Sequence, residues 1–221
     1  ERRTGLGLTP LARLVELRLA CVDGSGEIFA PDTFAAPVTI GLRPDPEGAH
    51  DPELTGIYRL LPDGALQYIG GKNTGERTEA GAIRAGVYGL LEASRAYADV
   101  PDNHWAHRAI AALTARLVVT GTDAADGRFE PDRTVTRAEF TAMTARLLRL
   151  PDAPDDPDVP AFADVPAGAW YASAVRAAQA AGIVTGDQAG RFRPDAPITR
   201  EEMAALLARA ATCAGIARTR A

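Results

Sequence analysis

The sequence predicts a multi-domain α+β chain: an N-terminal antiparallel β-sandwich-like module at residues 1–94, followed by two α-helical repeats. Three observations predict it. Up to about Ser94, apolar side chains recur at every second position, the period of a strand with one buried face. Beyond Ser94 they recur at helical spacing, so that one stripe of a helix is apolar. Finally, one stretch is written twice, at Tyr97–Phe140 and at Phe162–Met203. Self-similarity of this kind marks units that pack against their own copies.

The strands are read as follows. Val15, Leu17, Leu19 and Cys21 alternate with Glu16, Arg18 and Ala20, and Val38, Ile40 and Leu42 alternate with Thr39 and Gly41. Ile57–Leu61 and Leu66–Ile69 flank Pro62-Asp63-Gly64, a turn signal between two strands of a hairpin. Ile83, Ala85, Val87 and Gly89 suggest one last strand. The pattern then changes. Ala106, Ala109, Ile110, Leu113 and Leu117 fall on one helical face, and Tyr171, Ala174, Val175, Ala178 and Gly182 repeat it. A second helix in each copy carries Phe140, Met143 and Leu147, or Met203, Leu206 and Ala210. The first repeat spans 95–150 and the second 161–221, joined by a Pro/Asp-rich linker at 151–160; its composition favours an extended, semi-rigid chain.

The two copies share landmarks in order: A-D-V, a Trp at the opening of a helix, an apolar residue before V-T-G, a G-R-F-x-P-D turn and T-R-x-E. Asp99, Trp105 and Gly121 recur 65 residues on as Asp164, Trp170 and Gly186, and Phe129, Pro131 and Arg137 recur 63 residues on as Phe192, Pro194 and Arg200. This pattern resembles the S-layer homology family, over Tyr97 to about Ala211. The resemblance implies a helix–loop–helix fold for each copy. It also implies a cell-wall location and binding of a secondary cell-wall polysaccharide, often one carrying pyruvate ketals. Three such modules usually form a pseudo-threefold assembly, whereas two copies stand here. The segment before them, with P-V-T-I and I-Y-R-L-L-P-D-G-x-L-Q-Y-I-G-G-K, is more distantly similar to β modules that precede such repeats.

Composition narrows the function classes. Hydrophobic residues are 46% and charged residues 24%, the balance of an ordinary globular protein. A formal net charge of −5 argues against non-specific nucleic-acid binding. No apolar run reaches membrane-spanning length. Lys72 is the only lysine beside many arginines, which reads as codon bias. Glu1 opens the chain without a signal-peptide pattern, as expected of a processed protein or a fragment. Cys21 and Cys213 lie far apart and suggest free thiols.

Thr136 with Glu139, and Thr199 with Glu202, fit a capping box, in which the Thr hydroxyl and the Glu carboxylate satisfy backbone N–H groups at a helix start. Capping does not account for Arg137 and Arg200. Both fall in a first helical turn, where the helix dipole disfavours a cation by about 0.3–1 kcal/mol. An anionic partner would offset that cost, and a guanidinium fork matches a carboxylate such as a pyruvate ketal. A salt bridge within the chain, for example to Asp132 or Asp195, is the competing reading. Trp105 and Trp170 suit stacking on a sugar, or else serve as core anchors between helices. Gly121 and Gly186 are expected to end an apolar turn at positive φ, close to the ligand. Asp99 and Asp164 are expected to be turn acceptors first and sugar-hydroxyl acceptors second.

Other motifs carry less. His104 and His107 could share a helix face, but the second copy has Ala169 and Ala172 there and no third metal ligand is apparent. The acidic loop 122–127 fails the calcium-loop pattern, with Thr122, Ala124 and Arg133 at ligand positions. Glu53, Glu76 and Glu79 are the candidate carboxylates for a hydrolase, and their spacing does not distinguish them from surface charge. No catalytic motif, cofactor or metal is therefore expected. The leading expectation is a non-catalytic anchor, in which a groove between neighbouring repeats combines an Arg of one with a Trp and a Gly of the next. The alternative is a protein–protein assembly module of a surface lattice without glycan binding.

Overall fold

The computed structural model describes residues 5–46, 50–122, 127–151 and 162–216. Most of the linker expected at 151–160, and the centre of the acidic loop at 122–127, lie outside the described residues. The chain packs as two compact units, Glu1–Pro131 and Asp132–Ala221. The division falls inside the first repeat, after its first helix.

In the first unit the strands are β1 (Gly7–Pro10), β2 (Val15–Leu17), β3 (Cys21–Val22), β4 (Ile28–Phe29), β5 (Thr33–Leu42), β6 (Thr55–Leu60), β7 (Leu66–Gly70), β8 (Lys72–Asn73), β9 (Thr78–Arg84) and β10 (Gly86–Ser94). The principal sheet runs β1-β10-β6-β7 with β2 also on β10, a second runs β5-β9-β8, and β3 and β4 form a small hairpin. All pairings are antiparallel. Ile40 and Leu42 of β5, Ala80 and Ala82 of β9, Ile57 of β6, Ile69 of β7 and Leu90 of β10 share one buried cluster. Both larger sheets thus turn their alternate apolar residues toward a common core. Between β6 and β7 the Pro62-Asp63-Gly64 turn closes as its residues dictate. Gly64 adopts φ +81°, and Leu61 and Ala65 pair through a 2.8 Å backbone hydrogen bond.

The one last strand expected at Ile83–Gly89 is in fact two. β9 ends at Arg84 and β10 begins at Gly86, where φ is +143°. Only glycine takes that backbone turn without strain. The alternation also misplaces the buried face: Ile83 is 51% exposed, whereas Ala82 before the hinge and Tyr88 after it are buried.

Helix α1 (His107–Ala115) belongs to this first unit. Tyr58, 1% exposed at the centre of β6, donates its hydroxyl proton to the Ala115 carbonyl at the end of α1. The bond satisfies one of the carbonyls a helix end leaves unpaired. Leu117 follows at φ +58°, and Val118 N–H returns to the Leu113 carbonyl at 2.9 Å.

The second unit holds α2 (Arg137–Leu148), α3 (Ala172–Ala180) and α4 (Arg200–Cys213). Helix α2 packs on both α3 and α4. Beyond Arg137 at its start, its buried side chains are small, Ala138, Thr141, Ala142, Thr144 and Ala145, which lets the helices approach closely. The core they share includes Val175, Ala178, Ile183, Val184, Phe192, Ile198 and Leu206. Thr141 is fully buried, and its hydroxyl has no hydrogen-bond partner among the described residues.

Tyr58→Phe removes a side-chain bond from the principal sheet to α1 and leaves the Ala115 carbonyl without it. We expect a loss of about 1–3 kcal/mol, read as a lower urea midpoint with an unchanged slope. A midpoint equal to wild type would show that α1 is held by packing alone.

Candidate functional site

Each repeat builds the same loop on its aspartate. Asp99 accepts the backbone N–H groups of Phe129 and Glu130, both at 2.8 Å. Asp164 accepts those of Phe192 at 2.8 Å and Arg193 at 2.7 Å. Glu130 and Arg193 both sit at φ +59°, a left-handed conformation that a side chain disfavours; the two bonds to each aspartate hold it in place. Both aspartates therefore have both oxygens engaged by the loop. The backbone N–H of Phe129 holds the Asp99 carboxyl below its ordinary range. At Asp164 burial pushes upward, and the bonds from Phe192 and Arg193 outweigh it.

The glycines are explained by close approach. A Cβ on Gly121 would lie 2.6 Å from the Arg128 carbonyl oxygen and 2.9 Å from the Tyr97 ring. A Cβ on Gly186 would lie 2.9 Å from the Phe162 ring. Gly121 is at φ +80°, whereas Gly186 is not among the positive-φ glycines. The expectation of positive φ at both is corrected for Gly186, where sterics alone demand the missing side chain.

Each T-R-x-E tetrad opens a helix. Thr136 accepts from Glu139 N–H at 3.2 Å while the Glu139 carboxylate accepts from Thr136 N–H at 2.9 Å. Thr199 and Glu202 repeat this at 3.2 and 3.0 Å. The two arginines beside them have different surroundings. Arg137 is buried, 7% exposed. Its Nε donates to the Phe192 carbonyl at 2.8 Å, its Nη1 pairs with Glu202 at 2.9 Å, and its guanidinium lies 5.1 Å from the centre of the Phe192 ring. The neighbouring backbone is bound too: Arg137 N–H reaches the Ala196 carbonyl at 2.9 Å and Ala138 N–H the Pro194 carbonyl at 3.0 Å. The start of α2, from the first repeat, is thus seated in the G-R-F-x-P-D loop of the second. Its carboxylate partner is Glu202, not Asp132 or Asp195.

Arg200 is exposed. Among the described residues neither its guanidinium nor its backbone N–H has a partner. Glu202 meanwhile holds two arginines, Arg137 and, at 2.8 Å, Arg193 of its own loop. Burial raises the Glu202 proton affinity, but the Thr199 N–H and the two guanidinium charges outweigh it and leave the pKa lowered. Glu139 is lowered similarly, burial being outweighed by Arg133 at 2.6 Å and the Thr136 N–H. Arg133, Arg193 and the Phe192 carbonyl were not singled out by sequence reasoning, although the G-R-F-x-P-D landmark contains two of the three.

Neither tryptophan is a core anchor. Trp105 is 91% exposed and Trp170 is 63% exposed. Trp170 meets Tyr171 edge-on at 5.4 Å, and Trp105 lies beside His104 at 5.8 Å. His104 Nδ1 accepts from Ala106 N–H at 3.2 Å, and His107 lies 3.3 Å from the Val100 carbonyl. Glu53, Glu76 and Glu79 each face an arginine: Arg108 at 2.7 Å, Arg43 at 3.4 Å and Arg77 at 2.6 Å. Cys21 and Cys213 are free thiols. Among the described residues, no helix is long and apolar enough to cross a membrane.

Comparison with known proteins agrees with this duplicated geometry. Residues 96–141 and 161–204 match the S-layer homology domain. An amylopullulanase of Thermoanaerobacterium thermosulfurigenes is 37% identical over 204 residues, covering 90% of this chain and 10% of the relative. An S-layer protein of Bacillus thuringiensis subsp. finitimus is 39% identical over 134 residues, covering 60% of this chain and 16% of the relative. An exoglucanase of Acetivibrio thermocellus is 43% identical over 122 residues, covering 55% of this chain and 11% of the relative. The chain thus spans a small fraction of each relative's length.

Asp99, Asp164, Glu139 and Glu202 all have lowered folded-state pKa values. Their stabilising effect is complete above the unfolded values, about 3.9 for Asp and 4.3 for Glu, and is lost as pH falls through the folded ones. The melting temperature should therefore stay level from neutral pH down to about pH 5 and drop below about pH 4. Asp164→Asn should be less stable at neutral pH and show a shallower acid limb. An acid limb as steep as wild type would mean that the loop aspartate does not set it.

Proposed function

Because the chain carries two S-layer homology domains, at 96–141 and 161–204, we propose that it holds a larger protein on the cell wall by binding an anionic wall polysaccharide. S-layer homology domains occur in S-layer proteins and in surface enzymes, which indicates a cell-surface or cell-wall location and an anchoring role. The finer reading names the ligand and the contacts. Trp105 and Trp170 stack on sugar faces, and Arg200 takes the acidic substituent, a pyruvate ketal carboxylate, through its planar fork.

The observation that carries this reading is the pair of exposed indoles. A large apolar side chain left in water at matching positions of two repeats gains nothing from the core. An indole offers a flat apolar face and one N–H donor, which suits a pyranose ring. Among the described residues Arg200 has no partner for its guanidinium or its backbone N–H, and it stands at a helix start, a place where anions are favoured. Asp99, Asp164, Gly121 and Gly186 act from behind by fixing the loops. Arg137 acts through the seat of α2, since its donors already face Phe192 and Glu202.

Isothermal titration with purified wall polysaccharide tests this. Arg200→Ala should weaken binding by about ten- to a hundredfold, the loss of a charge-assisted hydrogen bond of about 1.5–3 kcal/mol, with an unchanged melting temperature. Trp170→Ala should weaken it comparably. Unchanged affinity in the Arg200→Ala, Trp170→Ala double variant would overturn the reading. So would equal binding to sacculi stripped of polysaccharide.

A further inference from the structure

The two T-R-x-E helix starts have one design and different surroundings. On α2 the first residues are fully engaged: Arg137 N–H and Ala138 N–H donate to carbonyls of the second repeat's loop, and the guanidinium pairs with Glu202. The face behind them, Ala138, Thr141, Thr144 and Ala145, is buried. On α4 the matching positions are Arg200, Glu201, Ala204, Leu207 and Ala208, and all five are exposed. Leu207, matching the buried Thr144, is 51% exposed. The backbone N–H groups of Arg200 and Glu201 have no acceptor among the described residues.

The other half of such a seat is also present and open. Glu202 receives one arginine from its own loop, Arg193, and one from the neighbouring repeat, Arg137. Glu139 receives Arg133, just after its own loop, at 2.6 Å on Oε1; among the described residues it has no second arginine, whereas Glu202 has two. Among the described residues the chain thus carries an arginine without a carboxylate, Arg200, and a glutamate with one arginine where its counterpart has two, Glu139.

We propose that these two halves meet between copies: the start of α4 docks on Glu139, at the start of α2, of a second copy of this chain. Arg200 pairs with the partner's Glu139, as Arg137 pairs with Glu202 within one chain. Leu207 and Ala204 are then covered as Thr144 and Thr141 are. The two patches are different surfaces, so the contact is head-to-tail, and it propagates into rings or open rows and does not stop at a twofold dimer. Seating buries Arg200, so one chain either docks through α4 or offers Arg200 to a polysaccharide; glycan added to the assembled protein drives it toward single chains by linkage.

Analytical ultracentrifugation of the full chain without polysaccharide, over a wide concentration range, tests the interface. The weight-average mass should rise with concentration. Leu207→Glu, which lies outside the proposed glycan contacts, should raise the dissociation constant at least about tenfold and still bind sacculi. Arg200→Glu alone and Glu139→Arg alone should each weaken association likewise. An equimolar mixture of the two should restore it, because each contact then joins opposite charges. Should Glu139→Arg fail to fold by circular dichroism, the Leu207→Glu and Arg200→Glu arms decide. A wild-type mass of one chain at every concentration overturns the proposal, as does association of Leu207→Glu equal to wild type. Neither result touches the glycan reading, which stands or falls on sacculus and polysaccharide binding.

Discussion

The second unit depends on a single buried cation. Arg137 stands at the first turn of α2, where the helix dipole opposes it, and is 7% exposed. A guanidinium in such a place is tolerable when its charge and its N–H groups are matched. Here they are matched from the other repeat, by the Phe192 carbonyl, the Phe192 ring face and the Glu202 carboxylate. The loop that supplies these groups is itself fixed by Asp164, which holds Arg193 at its left-handed φ. Glu202 in turn caps α4. One arginine thus ties together the start of α2, the loop after α3 and the start of α4.

A consequence is that the repeat in sequence is not the packing unit in space. Helix α2 is written with the first repeat, yet it shares its core with α3 and α4. Helix α1 is likewise written with the first repeat, yet Tyr58 of the sheet binds its last turn. Units of this kind bury their apolar faces on a neighbour's elements. Arg200, Ala204 and Leu207 of α4, which match the buried Arg137, Thr141 and Thr144, are exposed.

Much of this was legible in the residues. The capping boxes follow from Thr and Glu three residues apart, since the hydroxyl and the carboxylate have no better local use than the orphan N–H groups. The Pro62-Asp63-Gly64 turn and the helical stripe of α3 follow from turn chemistry and periodicity. Other features were hidden because they depend on which copy a residue faces. Arg137 and Arg200 have the same local sequence, and no local rule assigns one to a buried seat and the other to water. Trp105 and Trp170 have the size of core residues, and their exposure is a property of the assembled loops. Gly186 shows the same limit: the missing side chain answers to the Phe162 ring across the loop, 2.9 Å from where a Cβ would lie. Leu117 occupies at φ +58° the place that Gly182 occupies at φ +69° in the second repeat; a non-glycine there signals nothing in sequence and is carried by the helix-ending hydrogen bond behind it.

A double-mutant cycle on Arg137 and Glu202 measures the central contact without reference to any ligand. Arg137→Met and Glu202→Gln keep side-chain length, and Gln retains an oxygen for the cap. The four proteins would be unfolded in urea at neutral pH and low salt. If the seat organises the second unit, the coupling should be about 1–3 kcal/mol, and Arg137→Met alone should cost about 3–5 kcal/mol by leaving Glu202 with its charge less compensated. Coupling near zero, with each single change costing less than about 0.5 kcal/mol as surface substitutions do, would contradict the account.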